Sequence, residues 1–125
     1  MEPLYIKERE DTPLVVLDKL NSIFEIKGIS MPENVNEFYS GIITWIEEYS
    51  KDPNQETVFD FRLDYYNSAS AKQIFEIFHT LGKIIDIDKE VIIRWHYQHD
   101  DEEMEDAGKA FASICKVSFK LIPCQ

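Results

Sequence analysis

Residues 57–64 read Thr57-Val58-Phe59-Asp60-Phe61-Arg62-Leu63-Asp64, and residues 65–72 follow as Tyr65-Tyr66-Asn67-Ser68-Ala69-Ser70-Ala71-Lys72. The first segment alternates with period two: Thr57, Phe59, Phe61 and Leu63 fall on one face, Val58, Asp60, Arg62 and Asp64 on the other. That is a strand with one buried and one polar side. From Ala71 the apolar residues adopt helical spacing, through Ile74, Phe75, Phe78, Leu81 and Ile85. A strand passes directly into an amphipathic helix, and the seam carries two small hydroxyls, Ser68 and Ser70. A helix N-terminus leaves backbone N–H groups unpaired and holds about half a positive charge. A phosphate placed there gains charge-assisted hydrogen bonds, so a seam serine is suited to a phosphorylation switch. The plain alternative is that Asn67 or Ser68 simply caps the helix.

The same two-faced pattern recurs. In Glu90–Tyr97, Val91, Ile93, Trp95 and Tyr97 oppose Arg94 and His96; in Val117–Ile122, Val117, Phe119 and Leu121 oppose Ser118 and Lys120. Parallel strands covered on both faces would read as continuous apolar runs. These alternate, so the helices are expected mainly on one face of the sheet. Shorter strands are predicted at Leu4–Ile6, Leu14–Leu17 and Ile23–Lys27, the last two joined by a hairpin turn over Asp18–Ser22. Gly28 to Asn34 reads as a loop. A first helix carries Val35, Phe38, Tyr39, Ile42, Ile43, Ile46 and Tyr49, with Asn34 and Glu37 as a capping box. Asp100 and Glu103 are the expected caps of a last helix whose stripe is Met104, Ala107, Gly108, Phe111, Ile114 and Cys115. The order β-β-β-α-β-α-β-α-β describes one α/β domain with a mixed sheet, and its crossovers are long enough for parallel pairing.

Across 125 residues, 13 Lys and Arg stand against 24 Asp and Glu, for a net charge of −11. Counter-ion release cannot drive nucleic-acid binding with so few basic residues, and an anionic membrane surface repels such a chain. Protein partners fit better. No secretory leader or membrane-length apolar run is visible, and the two cysteines, Cys115 and Cys124, have neither metal-ligand nor redox spacing. A cytoplasmic protein with reduced thiols and no cofactor is expected. Ser68 has no glycine-flanked elbow and no glycine-rich phosphate loop exists, so nucleophilic and nucleotide chemistry find no support. His96, His99 and Asp100 form the one set that suggests a metal-assisted hydrolase, but they lack any ligand spacing of that kind. The acidic run Asp100, Asp101, Glu102 and Glu103 suits a helix start and has charge to spare for docking. Lys72, a cation in the first turn, opposes the helix dipole and is a candidate phosphate contact.

Three separated segments together resemble the SiaC family of bacterial regulatory phosphoproteins. Gly28-Ile29-Ser30-Met31-Pro32-Glu33-Asn34 is similar to the family's Gly-x-Ser-x-Pro-Glu-Asn loop, and Asn67-Ser68-Ala69-Ser70-Ala71-Lys72 to its Asn-Thr-Ser-Ser-x-Lys segment. Trp95-His96-Tyr97-Gln98-His99-Asp100-Asp101-Glu102-Glu103-Met104 resembles its Trp-x-Tyr-x-x-Asp-Asp-Glu-x-Met stretch. The resemblance implies a STAS-like fold and a partner-switching module. A cognate kinase would phosphorylate the protein, a PP2C-type phosphatase would restore it, and the unmodified form would engage an effector such as a diguanylate cyclase. The family's acceptor threonine matches Ser68, and Ala69 replaces a family serine, leaving Ser70 as the only other seam hydroxyl. Asn67, Ser70, Lys72, Asp100, Asp101 and Glu102 are the expected partner contacts. A constitutive binding scaffold, using the polar sheet face or the acidic loop without phosphorylation, is the alternative.

Overall fold

A computed structural model describes all residues from Met1 to Gln125. Its elements in chain order are β1 (Leu4–Ile6), β2 (Leu14–Asp18), β3 (Ile23–Ser30), α1 (Val35–Tyr49), β4 (Glu56–Tyr66), α2 (Ser68–Ile85), β5 (Glu90–Gln98), α3 (Glu102–Ile114) and β6 (Ser118–Cys124). They form one six-stranded sheet in sequential order; β1, β2 and β3 are antiparallel, and β3 to β6 run parallel. Each parallel step advances in the same direction, so right-handed crossovers place all three helices on one side. The core confirms that side. Phe59, Phe61, Ile93 and Trp95 from the sheet are buried with Tyr39 and Ile42 of α1 and Ile77 and Phe78 of α2.

Four boundaries differ from the sequence reading, each for a physical reason. β3 continues to Ser30 through Gly28, whose φ of +119° only glycine adopts freely. There the register with β4 shifts: Gly28 faces Leu63, but Ile29 faces Tyr65. Asp64 is therefore the extra residue of a β-bulge, and the bulge turns Tyr66 toward the helices, against Trp95 and Phe111. β4 thus runs two residues beyond the end of its alternation. β6 passes through Pro123 because it is an edge strand, where a missing N–H costs little. The cap of α3 is Asp101, whose carboxylate accepts from the Met104 N–H at 3.0 Å, and not Asp100 or Glu103. Asn34 caps α1 as expected, accepting from the Glu37 N–H at 3.1 Å.

Trp95 joins the layers. Its ring lies 5.4 Å from Phe111 of α3 and 6.5 Å from Phe78 of α2, centroid to centroid, and its Nε1–H donates to the Met104 carbonyl at 3.0 Å. Gly108 permits this approach: a Cβ there would sit 2.5 Å from Trp95 Cδ1 and collide with Leu121.

Candidate functional site

The loops that follow β3, β4 and β5 gather at the C-terminal ends of the parallel strands, the end where open α/β sheets commonly present their sites. The middle loop is the seam. Asn67 caps α2: its side chain accepts from the Ser70 N–H at 2.9 Å and its carbonyl from the Ala71 N–H at 3.0 Å. Its own N–H donates to the Ser30 carbonyl at 3.1 Å, which ties the helix start to the end of β3. Ser68 is then the first helical residue, and its side chain is exposed. The N–H groups of Ser68 and Ala69 are left as the open donors of the first turn. The first turn of α2 contains no acidic residue, whereas α1 and α3 both carry carboxylates in theirs. Lys72 is exposed, forms no ion pair, and lies four residues after Ser68, on the same helix face.

Ser70 is not a surface residue, which corrects its expected role as a partner contact. It is fully buried and donates to the Ser30 carbonyl at 3.0 Å. Ser30 Oγ donates to Ser70 Oγ at 2.8 Å, and Tyr39 OH lies 2.6 Å from Ser30 Oγ. Burial raises the Tyr39 phenol above its ordinary value despite these hydrogen bonds, so it remains a neutral donor. This three-hydroxyl lock was not legible in the sequence, since its members lie on β3, α1 and α2. It fixes the turn that presents Ser68. Replacing Ser70 with Ala is expected to cost about 1–2 kcal/mol and to speed amide exchange in the first turn of α2, read by thermal melting and hydrogen exchange.

Asp100 and Glu102 are exposed beside the seam, because β5 neighbours β4. Asp101 is half-buried by its capping role. His96, His99 and Asp100 are not brought together as a ligand set: His96 Nε2 lies 2.7 Å from Asp60 and His99 Nδ1 lies 3.2 Å from the Cys124 carbonyl. No group of three or more His, Cys, Asp or Glu side chains stands in metal-binding geometry. Cys115 and Cys124 are free thiols, and burial pushes the Cys115 thiol up.

The far side of the sheet holds an ionic group that the alternation at residues 60, 62, 94 and 96 foreshadowed. Arg94 donates to both Asp60 oxygens, at 2.7 and 2.8 Å, and Arg62 donates to Glu25 at 3.0 Å. Partial burial works against the Asp60 charge, but the hydrogen bonds from Arg94 and His96 outweigh it and hold the carboxyl below its ordinary value. A depressed carboxyl stabilises the fold above its unfolded pKa of about 3.9, and that contribution is lost as pH falls through the lower folded value. Asp60→Asn is therefore expected to cost roughly 1–2 kcal/mol at neutral pH. The gap from wild type should close on acidification below about pH 4, in denaturant melts across pH.

The fold and site define a one-sided α/β domain with an exposed hydroxyl at the mouth of its central helix. The profile of SiaC family regulatory phosphoproteins matches residues 6–124. The chain belongs to that family. It is 28% identical over 121 residues to an uncharacterised protein of Pseudomonas aeruginosa (strain UCBPP-PA14), covering 97% of this chain and 96% of the relative. Apo-SiaC from Pseudomonas aeruginosa superposes with a TM-score of 0.88 at 28% identity, covering 98% of this chain and 99% of that one. A chain from the crystal structure of the diguanylate cyclase SiaD in complex with its activator SiaC, from the same organism, gives a TM-score of 0.91 at 27% identity. That match covers 97% of this chain and 99% of the other.

Proposed function

We propose that this regulatory phosphoprotein is switched by reversible phosphorylation of Ser68, and that its unmodified form binds and activates an effector of the diguanylate cyclase class. A cognate kinase and a PP2C-type phosphatase set the state, and Asn67, Lys72, Asp100, Asp101 and Glu102 form the rim that partners meet. The observation that carries this reading is the position of Ser68: exposed, first in α2, beside two open N–H donors and one turn from an unpaired Lys72. A phosphate at that point is held by the helix mouth and by Lys72 without disturbing the core. An apolar or acidic partner surface covering the seam would instead have to desolvate a dianion. The activator role of SiaC toward SiaD supports the choice of effector.

The test is to incubate the protein with its host's candidate kinase and locate the phosphate by mass spectrometry. The expected product is a single phosphate on Ser68, absent from Ser68→Ala and removed by a PP2C-type phosphatase. Modification at another residue, or an unmodified form that never binds the host cyclase, would defeat the reading.

A further inference from the structure

Two large apolar side chains adjoin the seam, and both are held in solvent. The first is Met31, directly after β3. The Ser30 carbonyl, which shares its peptide unit with the Met31 N–H, accepts from the Asn67 N–H at 3.1 Å and from Ser70 Oγ at 3.0 Å. The Met31 N–H donates to the Asp11 carbonyl at 2.8 Å, and buried Pro32 follows. The Met31 backbone is thus pinned from two sides, one of them the turn that carries Ser68, yet its side chain is 40% exposed. The second is Tyr65, three residues before Ser68. The bulge at Asp64 sets Tyr65 opposite Ile29 and gives Tyr66 the place against Trp95, which leaves Tyr65 51% exposed. Ser68 and Ala69 are exposed as well and carry no charge. Met31, Tyr65, Ser68 and Ala69 therefore make an uncharged patch. Exposed carboxylates bound it: Glu33 beyond Met31, Asp64 beside Tyr65, and Asp100 and Glu102 on the β5 side. An apolar centre inside a charged rim is the anatomy of a protein interface, and Met and Tyr are enriched in such centres.

We infer that Met31 and Tyr65 are the anchors by which the effector holds the seam, and that the effector surface pressed on them is apolar and uncharged. This rests on the reading that the effector docks at the seam, and adds which side chains it grips and what they meet. The pinned backbone of Met31 makes that anchor preorganised, so little freedom is lost on binding. The same patch gives the physical reason that one phosphate acts as a switch. A dianion on Ser68 stands beside side chains whose partner excludes water, and that partner offers it neither solvent nor a cation. A basic partner surface would instead gain from the phosphate, as it would from Glu33 and Asp100, and modification would then strengthen the complex.

The experiment is a calorimetric titration of the host diguanylate cyclase with the unmodified full chain and its variants, each checked by thermal melting. Met31→Ser and Tyr65→Ser are each expected to weaken binding at least about tenfold, with the melting temperature unchanged. Met31→Leu and Tyr65→Phe keep the apolar surface and should bind within about threefold of wild type. Leu20→Ser and Ile114→Ser should do the same, since both side chains are more exposed than Tyr65 but stand at the opposite end of the sheet. Serine variants at 31 and 65 that bind as wild type does, while phosphate on Ser68 still blocks binding, overturn the inference and leave the switch standing. Binding untouched by those variants and by the phosphate alike removes the seam as the dock, and the proposed function with it. A loss in Tyr65→Phe equal to that in Tyr65→Ser assigns the contact to the hydroxyl and overturns the apolar partner. A like loss in Leu20→Ser or Ile114→Ser also overturns it, as does self-association of the chain abolished by the serine variants, which would make a second copy the occupant.

Discussion

Phosphorylation of Ser68 is expected to weaken effector binding by at least about 100-fold, close to 2.7 kcal/mol, while leaving the fold as stable as before or slightly more so. The two halves of this expectation have separate causes. The phosphate brings about −1.5 to −2 charges to an exposed site beside open N–H donors and Lys72. Within the protein those interactions are favourable, by about 0.3–1 kcal/mol for a charge at a helix mouth, so the melting temperature should hold or rise by a few degrees. In a complex that covers the seam, the same charge must be dehydrated or must face partner groups selected to meet a neutral hydroxyl. Calorimetric titration of the cyclase with unmodified and phosphorylated protein reads the first half, and thermal melting the second. Ser68→Ala should bind like the unmodified form. A phosphorylated form that binds undiminished, or that loses many degrees of stability, would show that the seam is not a docking surface or that Ser68 is not free in solution.

Trp95→Ala is expected to have the largest effect on stability, about 3–5 kcal/mol. Trp95 is 1% exposed and touches aromatic rings from α2, α3 and β6, besides Phe61 and Tyr66 on β4. Truncation opens a cavity that three elements cannot close at once, because Gly108 already lets α3 approach as far as the backbone allows. A fall of some 10–20 °C in melting temperature follows at about 4 °C per kcal/mol for a domain of this size. Trp95→Phe keeps most of the ring contacts and loses the hydrogen bond to Met104, so it should cost clearly less. Equal melting temperatures for the two variants would mean that packing around Trp95 is not what joins the layers.

Much of this was legible in the chain itself. Alternation in β4, β5 and β6 fixed which face is apolar, and with it the one-sided helix layer, because side chains two apart in a strand have no choice of side. The start of α2 was local to within one residue: the sequence offered Asn67 or Ser68 as the cap, and the structure gives it to Asn67. Ser68 as an exposed hydroxyl at a helix mouth therefore came from sequence alone, and the three family segments singled it out from its neighbours.

What sequence did not settle depended on contacts between distant segments. Ser70 looks as available as Ser68, two residues away, yet the helix turns it inward, where Ser30 and Tyr39 complete a buried lock. The bulge at Asp64 needed β3 beside β4, since an extra residue is defined only against a partner strand. The ion pairs of the open face, Arg94 with Asp60 and Arg62 with Glu25, emerged only when the register set β3, β4 and β5 side by side. Periodicity and caps are properties of neighbours along the chain and were decided there. Burial of a single hydroxyl, strand register and the pairing of charges across strands belong to neighbours in space, and only the folded arrangement decided them.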